Sequence, residues 1–429
     1  MNFLRKGVLV SGGRFTGIFI NMLAGVLLAR ALGPDGLGQF ELFKSTQTIL
    51  VTIVAFGMGN SSIYFLNNKK VPIEDIVSIT LKFSLILSFL VLLIIPISIY
   101  FNPNYFGQVS ILTIIFFTLG ATGLLNSTTL RPILTAQLAV KKMIIVDLIP
   151  RIVLILFAIL IYVLNFENAD WAIFALGLGY ALAFISLLYY FRDFIKFRKK
   201  FDWILFKRLM SYGLKLSAST LMVVLTSNIT IIFLRVFQED GFNNIGLYSR
   251  AVAISNMVAI IPTTIGPLLY SKWASVKIDI LRQQSSMAIR VGMFSSLIAV
   301  AFIIFFSNFI IKILYGSEFL DSVSAVRILV PSVLFVTVYS VCNNILASKG
   351  EALKTLKIFI ITFIIVTGSS ALLIPIYGIK GAAVAILIGN LFTGISSFIL
   401  CKNLYGLETK NSFFIKREDF VSIKKMLYK

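Results

Sequence analysis

The chain is a succession of apolar runs of about 20 residues or more, separated by short polar breaks, and that pattern limits its fold more than any other feature. A hydrocarbon layer about 30 Å thick takes about 20 apolar residues to cross as a helix. Lipid offers no partners to backbone N–H and C=O groups, so a spanning segment must satisfy them itself. The runs are too long for barrel strands, which need only about ten residues. The many Ile, Val and Phe residues would favour strands in water, but in lipid the helix is imposed. The sequence therefore predicts an all-α polytopic membrane protein with about 12 transmembrane helices. They are read at 11–31, 39–66, 77–101, 107–136, 143–164, 170–191, 209–235, 245–270, 286–311, 325–347, 353–375 and 378–400. Of the 429 residues, 58% are hydrophobic and 13% charged, whereas a soluble domain carries about 25% charged residues.

The breaks between runs carry an orientation signal. In one set of alternate loops lie nearly all the loop cations: Arg5 and Lys6, Lys69 and Lys70, Lys141 and Lys142, the basic segment 192–208, Lys349 and its neighbours, and the C-terminal tail. The opposite set holds only Lys312 and Lys380 and is otherwise neutral or acidic. Cytoplasmic loops concentrate Lys and Arg, so both termini are expected in the cytoplasm. The formal net charge of +21 is thereby an orientation signal, and nucleic acid is not an expected partner. The first run after Arg5-Lys6 is long enough to span and is followed by more of its kind, which argues against a cleavable leader.

The longest internal break, 192–208, divides the spans into two sets of six. The expected organisation is an N-terminal six-helix lobe at 1–191, a basic cytoplasmic linker at 192–208, a C-terminal six-helix lobe at 209–400 and a basic tail at 401–429. The lobes read as diverged copies. Ser11-Gly12-Gly13-Arg14-Phe15 opens one and Ser211-Tyr212-Gly213-Leu214-Lys215 the other; Gly38-Gln39-Phe40 is matched by Gly246-Leu247-Tyr248. Six helices per copy give both the same topology, related by a pseudo-twofold along the membrane normal, an arrangement found in alternating-access transporters.

Enzyme chemistry is disfavoured. Histidine is absent and there are two cysteines, so His-based acid/base catalysis and His/Cys metal sites are not expected, nor is any cofactor. No phosphate-binding loop motif occurs in the cytoplasmic breaks, and no opposite-side break has room for a catalytic domain.

Charge inside the spans is the feature that asks for a function. A charged side chain at mid-bilayer costs about 2.5–3.5 kcal/mol on insertion scales, and such residues face a bundle interior or a watery cavity. Arg14, Arg30, Lys44, Arg131, Arg151, Lys215, Arg235, Arg250, Arg290 and Arg327 enter or flank the spans, against only Glu41 and Asp147. For those near helix ends, snorkelling to headgroups competes with cargo binding; Lys44 and Arg151 lie deeper. Arg151 has Asp147 one turn before it as a partner, and Glu41 can pair with Arg30 or Lys44. Glu41 and Asp147 are also the candidates for coupling to an ion. Helical spacing groups Ser11, Arg14, Gly17, Asn21 and Gly25 on one face of the first span. Glu41, Lys44, Thr48 and Thr52 share a face of the second, and Lys215, Ser219, Thr226 and Thr230 one of the seventh. Such stripes serve either close helix packing or a polar cavity. A cavity so lined calls for an anionic cargo, and guanidinium suits phosphate through paired hydrogen bonds. The candidate binding residues are Arg14, Lys44, Arg151, Lys215, Arg30, Arg235 and Arg250, with Pro150 beside Arg151 a candidate hinge.

Four stretches resemble a known family. Ala29-Arg30-Ala31-Leu32-Gly33-Pro34-Asp35-Gly36-Leu37-Gly38-Gln39-Phe40 resembles the first-loop signature of bacterial polysaccharide flippases of the O-antigen type. These belong to the multidrug/oligosaccharidyl-lipid/polysaccharide exporter superfamily. Gly246-Leu247-Tyr248-Ser249, Leu314-Tyr315-Gly316-Ser317-Glu318-Phe319 with Ala325 to Leu329, and Pro375 to Ala383 are similar to later motifs of the same family, in order. The resemblance implies two lobes around a cavity lined by the first, second, seventh and eighth spans. It also implies a cargo of undecaprenyl-diphosphate-linked oligosaccharide, as for lipopolysaccharide O-antigen, and glycan polymerase and chain-length proteins as partners. Arg14, Lys44 and Lys215 stand where relatives carry basic residues that meet the diphosphate. The chain departs from the family at Ser227-Asn228-Ile229-Thr230-Ile231, where members often show a charged pair. A drug/cation antiporter of the same superfamily is the alternative, though its cargo would need buried carboxylates. A membrane glycan polymerase or ligase is a more distant one.

Overall fold

The computed structural model describes residues 3–166, 168–196, 201–273 and 276–413; the side chains of residues 3–11, 14, 261–272 and 352 lie outside that description. The chain is all-helical. Nine helices among the described residues are long and apolar enough to cross a membrane. In order the helices are α1 (Phe3–Val54), α2 (Met58–Asn67), α3 (Ile73–Phe101), α4 (Pro103–Phe106), α5 (Ile111–Ala136), α6 (Val140–Leu164) and α7 (Asp170–Phe191). They continue with α8 (Trp203–Phe237), α9 (Gly241–Trp273), α10 (Ile278–Leu314), α11 (Ser322–Ser348), α12 (Ala352–Tyr405) and α13 (Thr409–Phe413). Outward-facing side chains such as Ile86, Phe89, Phe305 and Ile364 are exposed, which water would penalise and lipid does not.

Two of these helices are each a pair joined across a kink. In α1 the break is Gly33, with φ 62° and ψ −176°; in α12 it is Gly378, with φ 52° and ψ −127°. Both lie where the sequence places a turn between spans. Only glycine enters such a backbone region cheaply. Pro34 then restarts the helix, because its missing N–H is one the first turn leaves unpaired in any case. The broad turn expected over residues 32–38 is thus one non-helical residue, with helix on both sides.

The second expected span, 39–66, is not continuous. Phe56 and Gly57 have positive φ (47° and 69°), and α2 begins afresh at Met58. The seventh span starts earlier than its apolar run, because the Asp202 carboxylate accepts the N–H groups of Ile204 and Leu205 at 2.9 Å and so caps α8.

By internal contacts the chain forms two compact units, Met1–Gly246 and Leu247–Lys429; the 209–246 segment packs within the first. That unit's core gathers Met58, Phe65, Ile76, Leu130, Ile133, Leu187, Phe191 and Leu209. Small residues bring its helices close: a Cβ on Gly177 of α7 would strike the Phe116 carbonyl of α5, and one on Gly179 would lie 2.8 Å from Pro150 Cα inside the continuous α6. Buried polar groups pair across helices: Ser84 donates to Asn126 at 2.7 Å, and Asn126 donates to Ser88 at 2.8 Å. The second unit packs Trp273, Ile289, Cys342, Ile345 and Cys401. Its two cysteines are free thiols, and Thr362 meets Thr393 at 2.8 Å between the limbs of α12.

Candidate functional site

The polar wall of the first unit is built on the second limb of α1. Lys44 Nζ lies 2.6 Å from the carboxylate of Glu41, one turn away; the Glu41 side chain is only 10% exposed and that of Lys44 46%. The ammonium also lies 5.6 Å from the centre of the Phe40 ring. Of the partners that the sequence allows Glu41, Lys44 is therefore in place. Thr48 and Thr52 donate their hydroxyl protons to the carbonyls of Lys44 and Thr48, each at 2.7 Å, and Thr226 does the same to Met222. These threonines thus satisfy their donors at home and present only acceptor lone pairs outward.

Between α1 and α8 the link is Ser45, whose hydroxyl donates to Asn228 Oδ1 at 2.7 Å while Asn228 donates to the Val224 carbonyl. Asn228 thus has a structural partner, Ser45. Lys215 lies lower on α8, exposed. There Gly213 backs onto Gly57, Tyr212 stacks on Tyr64 with ring centres 4.2 Å apart, and Asn60 donates to Ser217. The break at Phe56–Gly57 makes this possible, since a Cβ on Gly57 would collide with the Gly213 carbonyl and the Ser217 side chain.

At the Gly33 turn between the two limbs of α1 (the hairpin turn), the second limb meets the start of α9 closely. A Cβ on Gly38 would strike the Phe242 carbonyl, and a Cβ on Gly246 would strike the Pro34 carbonyl. Each glycine therefore lies against the residue four positions before the other, a reciprocal crossing. Asn243 reaches Asp35 across it at 3.3 Å. Arg235 serves this end of the molecule. Its Nε donates to the Tyr105 carbonyl at 2.7 Å, Nη2 donates to the Asn104 carbonyl, and the guanidinium lies 3.9 Å from the centre of the Phe242 ring. Gln39 clamps the same short helix α4 through the Phe106 carbonyl at 3.1 Å. Burial pushes the Tyr105 phenol above its usual value.

A second group of charges gathers at the other end of the first unit, around a cavity of about 390 Å³ between α1, α5 and α6. Arg131 of α5 grips Asp147 of α6 with two hydrogen bonds, Nε to Oδ1 at 2.9 Å and Nη2 to Oδ2 at 2.5 Å. The sequence spacing pairs Asp147 with Arg151 one turn on; instead both its oxygens go to Arg131, because the α5–α6 turn brings a guanidinium face-on to the carboxylate. Arg151 crosses to α1, where a Cβ on Gly17 would land on its guanidinium. That gives Gly17, one member of the small-residue stripe, a specific duty.

The remaining candidates are dispersed. Arg30 is exposed near the hairpin turn. Arg250 belongs to the second unit, buried, with Nε 3.3 Å from the Ser249 hydroxyl and the guanidinium 5.5 Å from the Tyr315 ring centre. The Arg14 side chain lies outside the described residues, on the helix turn between Gly13 and Gly17. Arg131 is the residue that the sequence underrated, since snorkelling explains its position near a helix end equally well. Its partner is 16 residues away in the chain, so no helical spacing points to it.

Long kinked helices, glycine-mediated crossings and charges held inside the spans define a polytopic membrane protein with the fold of the MOP-superfamily transporters. The structure superimposes on an inward-facing multidrug resistance MATE family transporter of that superfamily with TM-score 0.76 at 17% identity, covering 91% of this chain and 94% of that one. The lipid II flippase MurJ in an inward closed conformation gives 0.69 at 15% identity, covering 97% and 90%. A MOP superfamily transporter from Pyrococcus furiosus, described by the reversed polarity of its binding pocket, gives 0.63 at 19% identity, covering 94% and 95%. The chain belongs to the polysaccharide biosynthesis protein family, whose model matches residues 27–324. No curated protein matches it by sequence.

Proposed function

We propose that the protein is a flippase that carries undecaprenyl-diphosphate-linked oligosaccharide repeat units from the cytoplasmic to the outer leaflet of a bacterial inner membrane by alternating access. The observation that carries this reading is the sign of the charge inside the spans. Cations outnumber acids there, and Glu41 and Asp147, the acids that lie inside the spans rather than in their first turns, are each held by a basic neighbour. A cationic drug would need a carboxylate released from such a pair, so the antiporter alternative is disfavoured. A diphosphate, by contrast, meets cations already in place. Family membership adds the polysaccharide context, and the fold adds that of transporters. Within this reading the spans number twelve, because α1 and α12 each count twice and α9 adds one more, and both termini face the cytoplasm. Arg14, Lys44 and Lys215 take the diphosphate, the sugars follow the threonine-lined wall, and the lipid tail stays in the bilayer.

The test is a deletion strain. Lipid-linked repeat units should accumulate on the cytoplasmic leaflet and surface glycan should disappear, both reversed by the intact gene. Single repeat units accumulating on the outer surface would instead indicate a polymerase. Replacing Arg14 or Lys215 by Ala should abolish surface glycan with the protein still in the membrane; normal glycan in both variants would remove them from the site.

A further inference from the structure

The cavity between α1, α5 and α6 carries a charge imbalance that the cargo site does not use. Three ionised groups border it: Arg131, Asp147 and Arg151. Arg131 and Asp147 cancel, and their pairing uses both carboxylate oxygens. One positive charge is left over on Arg151, which has no hydrogen bond or ion pair among the described residues and is largely buried. A guanidinium in a low-dielectric setting without a counter-charge is costly. The cost is relieved by an anion in the adjoining space. The remaining wall fits the same occupant. Thr135 gives its hydroxyl proton to the Met143 sulfur at 3.3 Å, a weak acceptor that an anionic oxygen would outcompete. Leu134, Leu138, Val140 and Ile144 supply an apolar lining that suits the chain or ester carbons attached to such an anion. Arg151 is also fixed in place, since its guanidinium occupies the room left by the missing side chain of Gly17. A planar, pre-positioned guanidinium recognises phosphate oxygens in pairs.

We infer that this cavity is an anion site of the first unit that holds a phosphate group on Arg151 and Thr135, separate from the Lys44 wall. The phosphate comes from an anionic phospholipid headgroup or from free phosphate or pyrophosphate. The inference does not rest on the identity of the cargo, because the cavity lies wholly within one unit and its test reads binding rather than transport.

The experiment is a binding measurement on the purified full-length protein in detergent. Native mass spectrometry with added phosphatidylglycerol forms one arm, and titration with inorganic phosphate and pyrophosphate the other. In the wild type one phosphatidylglycerol should be retained, or pyrophosphate should bind saturably. Arg151→Gln should weaken that binding at least tenfold, and Arg151→Lys, which keeps the charge but loses the paired geometry, should fall between. Binding of the lipid alone assigns the headgroup as source; binding of pyrophosphate without the lipid assigns free phosphate. Arg151→Gln equal to the wild type in both arms, or no binding by the wild type in either, overturns the inference. Gly17→Ala is the second variant. It keeps every charge, improves helix propensity and displaces only the guanidinium, so it should fold and still lose at least tenfold in affinity.

Discussion

The Glu41–Lys44 wall and the Arg131–Asp147–Arg151 cluster both set an acid beside a base in the first unit, yet they differ in reach and in balance. Glu41 and Lys44 are three residues apart on one helix, and their charges cancel. Arg131 and Asp147 are 16 residues apart on two helices, and a third charge remains beside them. The first arrangement leaves a half-exposed lysine with one carboxylate partner, which a diphosphate can replace. The second is a two-pronged clamp that holds α5 to α6 and leaves Arg151 positioned but unbalanced. One is suited to release and capture, the other to holding.

The largest effect expected from breaking this contrast is at the clamp. Arg131→Ala leaves the Asp147 carboxylate without its partner and should sharply lower the thermal stability of the purified protein. The double variant with Asp147→Ala should recover part of the loss, giving a coupling of about 1–3 kcal/mol in a double-mutant cycle. Glu41→Ala, by comparison, should lower stability little, because Lys44 is half exposed and relaxes into its surroundings. Equal losses at both pairs would erase the distinction drawn between them.

Next in size is the glycine crossing at the hairpin turn. Gly38→Val or Gly246→Val drives a branched side chain into the facing backbone carbonyl. Since neither carbonyl can move without its helix, each should reduce surface glycan at least tenfold at normal protein levels. Gly12, which has nothing near its Cβ position, should accept Ala with little change. Retained glycan in both crossing variants would show that this contact is dispensable.

The contrast also marks what could be read from the chain alone. The apolar runs foretell the helices because lipid leaves no alternative, and the breaks in α1 and α12 fall at Gly33 and Gly378 because few other residues allow the backbone to turn there. A local pair such as Glu41–Lys44 is legible, since helix geometry fixes which residues are neighbours. Arg131–Asp147 is not, because its geometry depends on how the α5–α6 turn closes, and Asp147 has a nearer cation in sequence that misleads. Arg235 is legible as a cation at a helix end, but what it holds is not. Its partners are the backbone carbonyls of Asn104 and Tyr105, which have no signature in a sequence. The break at Phe56–Gly57 was foreshadowed only by the glycine itself.

The smallest expected effect is at Ser45. Ser45→Ala removes the hydrogen bond to Asn228 and should cost about 1 kcal/mol of stability, in line with interhelical hydrogen bonds in membranes, with glycan export lowered no more than twofold. A loss as large as that of the crossing glycines would move Ser45 from helix packing to the transport path.

The central claim is that a basic interior moves an anionic lipid-linked glycan, and transport in proteoliposomes tests it most directly. The purified protein would be offered undecaprenyl-diphosphate-linked oligosaccharide in one set of vesicles and a cationic dye in another. The protein should translocate the glycan lipid, lose that activity on Lys215→Ala, and leave the dye where it was. Dye transport with the glycan lipid left in its original leaflet would contradict that claim.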